Sequence, residues 1–243
     1  MRLGIWMRKR GEILTGGSWL AAILMILSVM GSEMFAADCR LATDKLGARL
    51  FAEYGAMFFA TQDVILPTTC IFASEDEVRN FQAKLKTTSA KIGNAEIDLQ
   101  SAAMESLQNA VRQAENRGIR ITPLDGAIAG KRSFADTQRI WNSRFLPGLE
   151  YWVRRDRLSR TEADAARGLG VLEQVEQVLK WEAKGMFFST GKNRSIMSSV
   201  APPGTSQHLS LLAFDIEQAS NKTVRDIMNA SGWFQTVVND SPH

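Results

Sequence analysis

The chain has 243 residues, of which 45% are hydrophobic and 23% are charged, and its formal net charge is +3. Two of these net charges come from residues 1–37, so the basic balance gives no case for binding nucleic acid. Residues 38–243 are enough for one sizeable core, or for one domain with an elaborated insertion.

The N-terminus predicts an export signal. A basic start is followed by an almost wholly apolar run over residues 19–30, which is long enough for a signal peptide and short for a membrane span. Small residues at Ala36 and Ala37 provide a cleavage point. Residues 1–37 are therefore a signal peptide, or an N-terminal anchor that tethers the protein to the membrane through residues 19–30 if uncleaved. The rest of the chain is expected to be exported, to the periplasm or cell envelope.

Cys39 and Cys70 are the only two cysteines, and both precede residue 98. An even number of cysteines in an exported protein favours a disulfide, which would close a loop of about 30 residues. A thiol ligand or nucleophile is the alternative, although no C-x-x-C spacing supports it. Residues 38–97 are accordingly predicted to be an N-terminal extension that contains this disulfide.

The first predicted elements lie between residues 63 and 121. Residues 63–73 are predicted to be extended, and Ser74 to cap a short helix that reaches about Leu85. Apolar residues at helical spacing predict a long helix over residues 98–117, ended by Gly118. Ile119–Ile121 then alternate as in a short strand.

The second half of the mature chain mixes predicted helices and strands. A helix is predicted from Ser133 until Pro147-Gly148 interrupts it, and Thr161 is predicted to cap the next helix. The remaining predictions are an irregular stretch (185–205), a buried strand (209–216), a short helix (222–229) and a last strand (233–238). This mixture without regular βαβ alternation predicts an α+β fold.

The two histidines of the chain, His208 and His243, are candidate metal ligands. Neutral imidazole is the commonest nitrogen ligand for a catalytic metal, and two His plus one carboxylate leave a position open for water. Asp215 is the candidate carboxylate. It lies about 23 Å from His208 if the chain is extended and about 10 Å away along one helix. Because neither path suits a shared ion, the chain is expected to turn after His208.

The sequence around these residues resembles the motifs of the D-alanyl-D-alanine carboxypeptidase family. This family comprises the VanY-type zinc peptidases, which share a fold with the hedgehog signalling domain. Its zinc motif, S-x-H-x-x-G-x-A-x-D, is matched from Ser206 to Asp215 except that Leu211 replaces the Gly. The family also has an acidic residue three positions before its last histidine, as Asp240 is to His243. A third motif, S-G-Y-R-S with a downstream Gln, is similar to residues 130–133 followed by Gln138.

The resemblance implies a fold, a cofactor and a role for each matching residue. It implies a hedgehog/DD-peptidase-like domain over residues 98–243, with a small antiparallel sheet and surrounding helices. His208, Asp215 and His243 would bind Zn²⁺. Asp240 would be the general base and Arg132 would bind the substrate carboxylate or stabilise the oxyanion. Ser206, Gln138 and Ser133 would help to hold the substrate.

The implied function is hydrolysis of peptidoglycan stem peptides, as by a D-alanyl-D-alanine carboxypeptidase. Leu211 in place of Gly, Asp240 in place of the usual Glu, and Pro242 in place of the usual Trp depart from the family pattern. Two alternatives therefore stay open. One is a cross-link endopeptidase of the same fold, and the other is a degenerate member that binds wall peptide without hydrolysis.

Overall fold

The computed structural model describes residues 45–60 and 63–236. By its contacts the chain divides into residues 1–37 and residues 38–243, and every described residue belongs to the second unit. The predicted signal segment, Cys39, Asp240 and His243 lie outside the described residues. Cys70 is described and packs against a small cluster formed by Met57 and Phe58, but its bridge to Cys39 stays a prediction.

The described chain is α+β, with helices around one two-stranded antiparallel sheet. In chain order, the elements are α1 (Lys45–Tyr54), α2 (Glu75–Gln82), β1 (Thr87–Ile92), β2 (Ala95–Gln100), α3 (Ser101–Glu115), α4 (Phe134–Val153), α5 (Arg160–Arg167), α6 (Val171–Glu182) and α7 (Lys222–Ala230). Four 3₁₀ turns lie between them, at Gly55–Phe59, Gly126–Ala129, Ile196–Ser198 and Gln207–Ser210. Among the described helices, none has the length and hydropathy needed to cross a membrane.

The hairpin of β1 and β2 corrects the predicted helix over residues 98–117. The two strands pair from Thr87 opposite Gln100 to Ile92 opposite Ala95, and Gly93 makes the turn at a φ of +58°. β2 takes residues 95–100, and α3 begins only at Ser101. Leu99 is fully buried, but as a residue of β2 rather than of a helix. An apolar residue at this position fits both elements, because alternate residues of a strand also face the core.

Helix α4 continues through Pro147, so the predicted interruption there is wrong. Proline removes one helical hydrogen bond, the one to the carbonyl of Ser143. Both Pro147 and Ser143 are exposed, so water is available to that carbonyl. Gly148 is buried against the ring of Phe188. This packing stabilises the helical conformation at Pro147 and Gly148, the two residues with the lowest helix propensity.

The predicted helix beginnings are right at three places, Ser74, Ser133 and residue 222, and displaced at α3 and α5. Ser74 caps α2 by accepting from the N–H of Glu77, and α7 covers the predicted helix 222–229. Helix α5 is capped by Ser159 rather than Thr161, since Ser159 and Glu162 form a complete capping box.

The predicted strands are irregular in the described chain. Residues 119–121 and the described residues 233–236 form no strand, and residues 63–73, predicted only to be extended, lie outside the helices and strands. The segment 209–216 is buried as predicted but makes only an isolated bridge, between Ile216 and Pro123. Its backbone N–H and C=O groups form hydrogen bonds with several separate segments rather than with one neighbouring strand. For example, the N–H of Asp215 donates to the carbonyl of Ala129 at 2.9 Å.

Two main hydrophobic clusters lie under the described surface. One joins α1, α4, α5 and α6 and contains Trp141, Phe145 and Phe188. The other joins the hairpin to α3 and α7, and it includes Phe214 and Ile216. Leu209 belongs to a third, smaller cluster with Phe72, Val78 and Phe134. The segment 207–216 is thus fixed at both ends by buried side chains.

Candidate functional site

The chain turns sharply between His208 and Asp215, as was predicted for two residues that would share one ion. The 3₁₀ turn Gln207–Ser210 ends at Leu211, which has φ 56° and ψ 34°, in the left-handed region. The N–H of Leu211 donates to the carbonyl of His208 at 3.2 Å. A left-handed backbone is what glycine adopts most readily. Leu211 occupies the position of the Gly in the zinc motif, so the chain keeps the turn and tolerates a strained leucine.

The imidazole of His208 is fully buried and its orientation is fixed. Nδ1 lies 2.8 Å from the carbonyl oxygen of Gly130. A carbonyl only accepts, so Nδ1 donates and Nε2 keeps the lone pair in the neutral ring. Nε2 faces the carboxylate of Asp215, with 3.4 Å between Nε2 and Oδ2.

Gly130 owes its role to a close backbone approach. A Cβ at this position would lie 2.8 Å from Cγ2 of Ile97 and 3.1 Å from the carbonyl oxygen of Asp98. The glycine therefore lets the 126–130 turn lie against β2, which brings its carbonyl to His208. Sequence reasoning missed this contact, although Gly130 begins the third motif.

Arg132 completes a group of three polar side chains with His208 and Asp215. Its Nη2 lies 2.5 Å from Oδ2 of Asp215, and its Nε donates to the carbonyl of Ile128 at 3.0 Å. The Arg132 and Asp215 side chains are only 14% and 11% exposed. A charge pair at this depth is strengthened by the low local dielectric but requires full pairing.

The pair formed by His208 and Asp215 fits a zinc ion by its geometry. Two ligands at about 2.0 Å from a tetrahedral ion lie about 3.3 Å from each other. The observed separation is 3.4 Å between Nε2 and Oδ2. The backbone carbonyl on Nδ1 is the outer partner that metal-binding histidines usually have. Among the described residues there is no group of three or more His, Cys, Asp or Glu that could hold a metal ion, and the predicted third ligand His243 lies outside them.

The same Oδ2 of Asp215 is also held by the guanidinium of Arg132. This contact allows a second interpretation, in which the three side chains form a closed structural network. Arg132 would then neutralise a buried carboxylate that also faces His208. The two interpretations differ in whether zinc is needed to complete the site.

The structure gives the other predicted substrate residues other contacts. Ser133 caps α4, where it forms a capping box with Asp136. Ser206 is buried and precedes the 3₁₀ turn without making a side-chain cap. Gln138 lines a separate cavity, which His208, Asp215 and Arg132 do not line. The capping role of Ser133 was readable from the S-x-x-D spacing.

Comparison with protein-family models, curated proteins and solved structures finds no match to this chain.

Proposed function

We propose that this chain is a zinc-dependent peptidase that hydrolyses peptidoglycan stem peptides, with D-alanyl-D-alanine carboxypeptidase as its most direct activity. The observation that carries the proposal is the distance of 3.4 Å between Nε2 of His208 and Oδ2 of Asp215 across a left-handed turn. The motif resemblance supplies the substrate class. Export to the periplasm or cell envelope would place the protein beside this substrate.

His208 and Asp215 would hold the metal together with His243. Thr236 is the last described residue, and its hydroxyl lies 3.4 Å from Nε2 of Gln207, the residue before His208. The seven residues after Thr236 span at most about 24 Å when extended, so His243 can reach the neighbouring His208. Asp240 lies on the same stretch and would accept a proton as general base. A bound zinc ion lowers the pKa of a coordinated water to about 7.

Arg132 would bind the carboxylate of the substrate or the developing oxyanion. Its Nε and Nη2 are held by Ile128 and Asp215, and within the described chain Nη1 donates to no acceptor. A planar guanidinium fixed on one side presents its remaining donors in a defined direction. Arg132 would therefore orient a substrate carboxylate while it positions Asp215.

The activity is tested by incubating the full chain with muropeptides that end in D-alanyl-D-alanine and weighing the products. Release of free D-alanine, its loss on chelation and its return with added zinc are expected. His208→Ala should abolish release, while Asp226→Asn, which removes an exposed carboxylate of α7, should leave it intact. Release of D-alanine that is unaffected by chelation and by His208→Ala would contradict the proposal.

The same experiment distinguishes a cross-link endopeptidase from a carboxypeptidase. Cleavage of dimeric muropeptides into monomers without release of D-alanine identifies it.

A degenerate wall-peptide binding protein is favoured by one observation, the Arg132 contact to Oδ2 of Asp215. A carboxylate oxygen already held by a guanidinium is a weaker metal ligand. Retention of the full chain on peptidoglycan without any product, in the presence of zinc, would identify this second candidate.

A further inference from the structure

A cavity that is not lined by His208 or Asp215 lies between three helices. It has a volume of about 340 Å³. Helix α4, the end of α5 and the start of α6 form its walls, and Pro203 closes one side. Its lining residues are Gln138, Trp141, Asn142, Arg167, Leu169, Gly170, Val171, Gln174 and Pro203. The volume is at the lower end of the range for small-molecule sites, so it suits a small acid or a dipeptide.

The lining carries one charged side chain, whose charge is offset by two carboxylates outside the lining. Arg167 is the only charged residue among the described residues that line the cavity. It pairs with Glu150 and Asp164, neither of which lines the cavity. A guanidinium has five N–H donors, so these two pairings leave more than half of them for a ligand.

The start of α6 adds backbone donors to the cavity wall. Gly170 is the N-cap of this 12-residue helix and has no side chain to accept from the N–H groups of its first turn. Glu173 is exposed and takes the N–H of Gly170 itself, at 3.0 Å. Helix N-termini favour an anion because their N–H groups and the helix dipole both point toward it.

The cavity wall also includes a buried indole ring. Trp141 lines the cavity and is only 1% exposed. Its Nε1 is itself buried and has no hydrogen-bond partner among the described residues. The indole N–H is therefore a reporter of changes in the packing of the cavity wall.

We infer that this cavity is a binding site for a carboxylate-bearing small molecule, either a free dicarboxylic acid or the C-terminal carboxylate of a short peptide. The carboxylate oxygens would accept from Arg167 and from the first turn of α6. Gln138 and Asn142, one helical turn apart on α4, would contact the rest of the ligand. The inference does not depend on the proposed zinc site.

The test follows the indole N–H of Trp141 by NMR in the full chain, with Trp141→Phe used to assign its signal among those of the six tryptophans. Succinate and alanyl-alanine are titrated separately, and alanyl-alanine amide is the control without a carboxylate. A saturable shift with either carboxylate is expected, and the tighter ligand tells whether the site prefers a free acid or a peptide end. No saturable shift, or an equal shift with the amide, would overturn the proposal.

Two variants link the signal to the site. Arg167→Gln should weaken binding tenfold or more, since hydrogen bonds to charged groups are among the strong ones. Arg160→Gln is the matched control, because Arg160 also pairs with Glu150 but does not line the cavity. Gly170→Asp should abolish binding, because its carboxylate takes the place of the ligand. It should change the melting temperature by only about 1 °C, because glycine is a few tenths of a kcal/mol poorer as an N-cap. Unchanged affinity in Gly170→Asp would contradict the inference even if Arg167→Gln fails to fold.

Discussion

Leu211 is the residue on which the path of the candidate site depends. It holds a left-handed backbone, with φ 56°, and its side chain is only 1% exposed. A left-handed conformation costs an L-residue about 1–2 kcal/mol, and glycine avoids this cost. The leucine is tolerated because its buried side chain offsets that strain.

Truncation of Leu211 should give an unusual order of stability. Both Leu211→Ala and Leu211→Gly lose the buried side chain, at a cost of about 2–5 kcal/mol. Only Gly also relieves the left-handed strain, so Leu211→Gly should be more stable than Leu211→Ala by about 1 kcal/mol in urea unfolding. At Leu209, which is fully buried without a positive φ, the Ala variant should instead be the more stable one. The same order at both positions would refute the left-handed turn.

Glu182 is a buried carboxylate outside the candidate site. Its Oε1 accepts from the N–H groups of Phe188 (3.2 Å) and Ile196 (2.7 Å), while Oε2 has no partner among the described residues. Burial raises the pKa of Glu182 above its ordinary value. The native state thus holds this proton more tightly than the unfolded chain does, and ionisation of the carboxyl weakens folding.

Glu182→Gln should therefore gain stability relative to the wild type as the pH rises. The amide keeps an oxygen for both N–H groups and carries no charge. Below the ordinary pKa of about 4.3 the two proteins should differ least, and the difference should grow in favour of Gln as the pH rises through the raised pKa of Glu182. Urea unfolding at several pH values measures it, with the exposed Glu176→Gln on the same helix as control. If the stability advantage of Glu182→Gln over the wild type shrinks as the pH rises, the pKa of Glu182 is not raised in the native state.

At the scale of elements, α4 shows how packing overrides local sequence. Pro147 costs one hydrogen bond but lies on the exposed side, and Gly148 lies on the buried side against Phe188. A Cβ on Gly148 would collide with this ring, whose Cε1 would be 2.8 Å away. Phe188 cannot move easily, because it is fully buried and stacked between Phe145 and Trp181.

The two neighbouring positions should therefore respond in opposite ways to alanine. Gly148→Ala should destabilise by about 1–3 kcal/mol through overpacking, despite the better helix propensity of alanine. Pro147→Ala should stabilise by about 1 kcal/mol, because the helix regains one hydrogen bond. Thermal and urea unfolding of both variants check this pair. A stabilising Gly148→Ala would mean that Phe188 does not pack against α4 as described.

The same elements show where sequence reasoning succeeded. A serine with an acidic residue three positions later is a local signal of a helix beginning, and it was recognised at Ser74. The same signal at Ser159 was passed over for Thr161, two residues further on. The hairpin was also signalled, by Gly93-Asn94 between two alternating stretches, but the apolar spacing after residue 98 was assigned to a helix. The continuation of α4 could not be predicted, because Phe188 is 40 residues away in the chain.

The candidate site was predictable only in part. Motif spacing identified His208, Asp215 and Arg132, and the structure brings these three side chains together. Gln138 belongs to another cavity, a separation that depends on where α4 points after Ser133. The carbonyl of Gly130 on His208 could not be predicted, since backbone acceptors leave no mark in a sequence.

In the whole molecule, the predicted Cys39–Cys70 disulfide would tie the region just after residue 37 to the region before α2. Closing a loop of about 30 residues stabilises by roughly 3–4 kcal/mol in the chain-entropy model. Replacing both cysteines by serine should lower the free energy of unfolding by about this amount. A reducing agent should destabilise the wild type and leave the double variant unchanged. Equal effects on both proteins would exclude the bridge.

We propose that His208 and Asp215 are metal ligands rather than members of a closed network with Arg132. Zinc titration of the metal-stripped full chain, followed by calorimetry and by the melting temperature, distinguishes the two arrangements. Metal ligation should give binding of about one zinc per chain with a rise in melting temperature, and loss of both in His208→Ala and His243→Ala. Absence of zinc binding in the wild type, or wild-type binding in His208→Ala, would contradict it.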